Sequence, residues 1–192
     1  MKKLFSLVAL ATIFCLSVHA QEKGKLALSG SLAYGTKAAI DDNDETTGGA
    51  GINLGLEYFV TDRISIAPSY TLFFGTTVES SDPVLNVSST TDWNLSGINL
   101  DGRYYFLTEE LNVYGLFGIG IVAASFESES TVQGQTEVFE DSDSETGINI
   151  GAGLLLPLTE MIGIGAQVKY NTVEINEDGG QLVISAGLNL RF

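Results

Sequence analysis

The chain has 192 residues, about one domain's worth, with 44% hydrophobic residues, 22 glycines against three prolines, and a formal net charge of −15. A chain rich in Gly, Ser and Thr and poor in Pro leans towards strands rather than helices. The acidic balance speaks against a nucleic-acid partner, and a single cysteine and a single histidine leave little room for thiol or metal chemistry.

Residues 1–20 read as a cleaved export signal: Lys2 and Lys3, an apolar run from Leu4 to Val18, then Val18-His19-Ala20 with small residues at the two positions a signal peptidase inspects. The run is short of the roughly 20 apolar residues of a transmembrane helix. Phe14 stands where lipidation at Cys15 would need a small residue. Cleavage after Ala20 removes Cys15 and His19 together, so the mature domain, 21–192, has neither side chain. Disulfides, zinc sites built on Cys or His, and Ser-His or Cys-His pairs are thereby excluded. No cofactor and no metal site is expected.

Beyond the signal, apolar residues recur with period two, the strand repeat. The first strand shows Leu26, Leu28, Leu32 and Tyr34. The second has Ile52, Leu54, Leu56, Tyr58 and Val60, and the third Ile64, Ile66, Tyr70, Leu72 and Phe74. Ile98, Leu100, Tyr104 and Phe106 mark the fourth. The fifth switches to odd numbers with Val113, Phe117, Ile119 and Ile121, as a one-residue difference in the preceding turn would produce. Ile148 to Leu156, Ile162 to Tyr170 and Leu182 to Phe192 complete eight strands.

Three related segments, Val60-Thr61-Asp62-Arg63-Ile64, Leu107-Thr108-Glu109-Glu110-Leu111 and Leu158-Thr159-Glu160-Met161-Ile162, sit between alternating runs and read as tight hairpin turns. Longer polar segments, Lys37 to Gly49, Val78 to Asp92, Phe126 to Gly147 and Glu174 to Gly180, read as loops at the opposite end. Without the signal the chain carries seven basic and 24 acidic residues, a net charge of about −17, and 17 of the acids fall in those four segments. Two acidic runs, Asp41 to Glu45 and Asp141 to Glu145, alternate oxygen ligands but lack the Gly and the final Glu of an EF-hand loop, so they read as solvated acidic loop. Gly115-Leu116-Phe117-Gly118-Ile119-Gly120 lies within a strand and opens no helix, which favours close packing over nucleotide binding.

The remaining question is which face meets water. The second face is small or neutral with a handful of charges, too few for a soluble surface. The inverse arrangement fits better: lipid outside and a packed polar interior, with aromatics such as Tyr58, Tyr104, Phe106, Tyr34 and Phe74 as belts at the two ends. Glu57, Asp101, Arg103, Lys169 and Arg191 then face a lumen only wide enough for side chains, and charges there must be paired. An interior ion-pair network is expected from these five.

The signal, the eight alternating strands, the three short turns and the terminal Leu188-Asn189-Leu190-Arg191-Phe192 together resemble the OmpA/OmpX-type small outer-membrane β-barrel family, across essentially the whole mature chain. The resemblance implies an all-β, eight-stranded antiparallel up-and-down barrel in the outer membrane of a Gram-negative bacterium, with short periplasmic turns and long acidic extracellular loops. It also implies that Leu188, Leu190 and Phe192 form an insertion signal read by the barrel-assembly machinery. It points to a non-enzymatic structural or surface-interaction role, with outer-membrane lipid and an extracellular molecule as partners and a single copy as the working form. A small low-conductance channel or transporter, for ions or for an apolar solute, is the alternative.

Overall fold

The computed structural model describes residues 24–40, 46–82, 87–108, 110–132, 135–173 and 179–192. The expected signal, residues 1–20, lies outside them, as do the acidic run 41–45 and most of the segment from Glu174 to Gly180. The described residues form nine strands: β1 (Leu26–Ile40), β2 (Thr46–Phe59), β3 (Ile64–Phe73), β4 (Thr76–Asp82), β5 (Val87–Thr108), β6 (Asn112–Val132), β7 (Gln135–Pro157), β8 (Ile162–Asn171) and β9 (Gln181–Arg191). All neighbours are antiparallel, and β1 pairs with both β2 and β9. β3 and β4 lie end to end along β5, interrupted at Phe74 and Gly75, so together they form one wall strand. The result is a closed eight-stranded cylinder with no helix among the described residues.

The faces divide as the alternation requires. Leu32 is 70% exposed, Ile98 61% and Phe117 64%, whereas Ser65 and Asn149 are 0% and Asp101 1%. The apolar side chains coat the outside, and polar ones fill the middle. The switch to odd-numbered exterior residues on β6 has a local cause: the β5–β6 register shifts between Tyr105 and Leu107, so Phe106 is an extra residue and Phe106 and Leu107 both face outward.

The repeated threonines also have a physical reason. Thr61 Oγ1 accepts the N–H groups of Arg63 (3.2 Å) and Ile64 (2.9 Å), and Thr159 Oγ1 those of Met161 (3.3 Å) and Ile162 (3.0 Å). The hydroxyl satisfies donors that the tight turn strands.

At the other end the structure departs from the expected loops. Most of Val78 to Asp92 and Phe126 to Gly147, including the acidic run Asp141 to Glu145, is paired strand. β4, β5, β6 and β7 continue past the ring as a four-stranded sheet, in which Glu79, Thr90, Glu129 and Val138 stand in one cross-strand row. Both faces of this extension meet water, so no apolar alternation marks it in the sequence. Hydroxyl pairs hold it instead, Thr91 to Ser128 at 3.1 Å and Thr131 to Thr136 at 3.0 Å, with a ring row of Trp93, Phe126 and Phe139.

Candidate functional site

The lumen is built in layers, and the inward residues of β5 sample each in turn. Leu95 belongs to an apolar cluster near the extension, with Phe73, Val122, Val173 and Val183. Asn99 and Asp101 follow, then Arg103. Tyr105 closes the sequence in a second apolar cluster at the turn end, with Phe59, Tyr114 and Leu116. The expected filling was polar throughout, yet each end of the lumen carries an apolar layer. Phe59, Phe73 and Leu95 occupy inward positions by parity, a signal obscured by the polar residues between them.

Between these layers lie two ion pairs. Arg103 Nη1 stands 2.8 Å from Glu57 Oε2, and Lys169 Nζ 3.4 Å from Asp101 Oδ2. Glu57 is fully engaged, since its other oxygen accepts the hydroxyls of Tyr105 (2.7 Å) and Ser65. Arg103 also donates through Nη2 to Gln167 Oε1 at 3.2 Å, and its guanidinium carbon lies 4.9 Å from the centre of the Tyr114 ring. Tyr114 in turn donates to the same Gln167 oxygen at 3.1 Å. Asp101 Oδ1 accepts Asn149 Nδ2 at 2.7 Å, and that amide nitrogen also reaches Asn99 Oδ1 at 3.0 Å.

Of the five charged residues expected to meet in the interior, four form these two pairs. Arg191 lies at the turn end, beside Lys25 and Phe59, and makes no contact ion pair among the described residues, although it interacts electrostatically with Tyr105 and Glu57. Tyr105 and Tyr114 are further lumen residues that the apolar alternation does not single out, although parity on β5 and β6 turns both inward. Leu188, at 57% exposure, belongs to the outer coat, and the Phe192 N–H donates to Leu26 O at 2.8 Å where the last strand closes on the first.

The glycine-rich stretch of β6 makes room for these groups. A Cβ on Gly118 would lie 2.3 Å from the Leu100 carbonyl oxygen and 2.5 Å from Asp101 Oδ1. One on Gly120 would lie within 2.7 to 3.1 Å of polar atoms of Asn99, Asn171 and Asn149. A cavity of about 50 Å³ beside the Glu57–Arg103 pair is lined by Ser29, Ser31, Asn53 and Ser185 among others. At roughly 10–15 Å³ for each water, it has room for a few water molecules.

A closed antiparallel cylinder coated with Leu, Ile and Tyr and filled with paired charges inverts a soluble barrel, and this defines a transmembrane β-barrel. The chain belongs to the outer membrane protein β-barrel domain family, whose model matches residues 6–192, and its place is the outer membrane of a Gram-negative bacterium. No curated protein matches its sequence. Among solved structures it is similar to Ail, the attachment invasion locus protein of Yersinia pestis, bound to the heparin analogue sucrose octasulfate. That similarity has 22% identity and a TM-score of 0.59, over 88% of this chain and 99% of that one. It is similar also to the outer membrane protein OprG of Pseudomonas aeruginosa, with 12% identity, a TM-score of 0.61, and 92% and 99% of the two chains covered. The N-terminal barrel of OprF from the same organism follows, with 19% identity, a TM-score of 0.57, and 90% and 100% covered.

Proposed function

We propose that this protein is a non-catalytic surface barrel whose cylinder anchors an acidic sheet outside the cell, where that sheet meets other molecules. The observation that carries this reading is the extension itself. Its chain beyond the ring is spent on paired strands, a rigid display, rather than on slack loop. The described part of β4 to β7 carries Glu79, Asp92, Glu127, Glu129, Glu137, Glu140, Asp141, Asp143 and Glu145 on exposed positions. Such a surface attracts basic partners and repels nucleic acid and anionic ones. Ail is named for attachment and binds a polysulfate; the charge here favours the opposite class of partner, a protein surface rich in Lys and Arg.

Phe126 and Asp141 face each other, so residues 127–140 can be replaced by an Asn-Gly turn without disturbing the register below. An oligolysine peptide should bind the intact barrel in nanodiscs at low salt, and several-fold more weakly once this replacement removes Glu127, Glu129, Glu137 and Glu140. Equal binding would defeat the reading. Conduction through the lumen is disfavoured by the apolar layer at each end and by the Glu57–Arg103 pair. Planar-bilayer recording should show no discrete conductance above background for the wild type or for Glu57→Ala; reproducible steps would favour the channel alternative.

A further inference from the structure

The extension has two free edges among the described residues, β4, which pairs with β5 alone, and β7. Ile148 sets the direction of the β7 hydrogen-bonding groups: its carbonyl accepts Thr172 N–H at 3.0 Å, and its N–H donates to Thr172 Oγ1 at 2.9 Å, both on the β8 side. N–H and C=O of one strand residue point the same way and alternate along the strand. The β6–β7 register runs from Asn112 and Leu155 to Val132 and Gln135 without a shift, so the even-numbered residues above Ile148 point the same way. The β7–β8 ladder ends at Asn149 and Asn171. Glu140, Ser142, Ser144 and Thr146 therefore turn their backbone groups towards an edge that no described strand covers. Such a row is a ready template for another strand.

At two of these positions the donor is already occupied. Asp141 Oδ1 accepts Ser142 N–H at 2.8 Å, and Asp143 Oδ1 accepts Ser144 N–H at 2.7 Å. An approaching strand finds a carboxylate acceptor where its own carbonyl needs a donor. We propose that Asp141 and Asp143 are edge caps that stop the β7 edge from adding a strand of a second copy of this chain. The row Asp92, Glu127 and Glu140 in direct cross-strand register adds like-charge repulsion on the outer face. The inference holds whatever partner the sheet meets.

Cap and charge are separable, because Asn keeps the accepting Oδ1 without the charge. Wild type, Asp141→Asn with Asp143→Asn, and Asp141→Ala with Asp143→Ala are refolded in detergent micelles and checked for barrel formation by heat-modifiable migration. Amide exchange at Ser142 and Ser144 and sedimentation are then measured. In the Ala pair at a dilution that keeps it monomeric both amides should exchange roughly three- to tenfold faster, the loss of one exposed hydrogen bond each, and on concentration the protein should sediment as dimers or larger with both amides protected again. The Asn pair should match the wild type in both. Wild-type exchange in the dilute Ala pair, or wild-type sedimentation in the concentrated one, overturns the proposal. So does an Asn pair that associates like the Ala pair, since charge alone would then guard the edge.

Discussion

Arg103 is held from three sides, by the Glu57 carboxylate, the Gln167 amide oxygen and the Tyr114 ring. Removing Glu57 would leave a guanidinium in the lumen without its counter-charge, and breaking a buried pair in that way costs about 3–5 kcal/mol. Glu57→Ala should therefore lower the urea midpoint of the refolded barrel sharply, read by the fluorescence of Trp93, the chain's one tryptophan. Glu57→Leu with Arg103→Leu removes both charges and should cost less than the single change, although Ser65 and Tyr105 lose their acceptor. Gly120→Ala tests crowding in the Asn layer. Its added methyl must displace three polar atoms, so a loss of about 1–3 kcal/mol by the same denaturation is expected. The pairing partners were partly legible beforehand, since Glu57, Asp101, Arg103 and Lys169 share the inward parity. Who pairs with whom was not, because it depends on the stagger of strands around the cylinder, which no single strand's sequence records.

For the strands and turns, legibility followed burial on one face. Where a strand has lipid on one side and the lumen on the other, alternation is clean and all eight wall strands could be read, including the parity switch that the bulge at Phe106 produces. Above the ring both faces are wet. Asp141 to Glu145 then shows only alternating Ser and acid, and a paired strand reads as loop. The turns were legible as a repeat before their chemistry was known. Thr61→Ala should remove an acceptor for two N–H groups and cost about 0.5–1.5 kcal/mol at this exposed site, while Thr61→Ser should stay near the wild type. Equal midpoints for the Ala and Ser variants would show that the threonine serves some other need of the turn.

The whole molecule depends on an apolar coat that no aqueous surface could tolerate, and this coat is completed where β9 closes on β1. Leu188 stands in that coat beside Gly30, and the backbone of Phe192 bonds to Leu26 at the seam. A carboxylate at position 188 would face hydrocarbon, whereas one at the neighbouring inward position 189 would meet the polar lumen lining, with Ser29 opposite it. Leu188→Asp should therefore impair insertion more than Asn189→Asp does, and the contrast separates lipid exposure from a general intolerance of charge in the last strand. We further propose that Phe192 acts as a recognition group during assembly. Its deletion should then lower the amount of heat-modifiable barrel recovered from outer membranes, yet leave refolding of the purified chain into detergent nearly unchanged. A deletion variant that also fails to refold in detergent would mean that Phe192 matters for closing the seam itself. Normal recovery from membranes would mean that the terminal aromatic is dispensable for both.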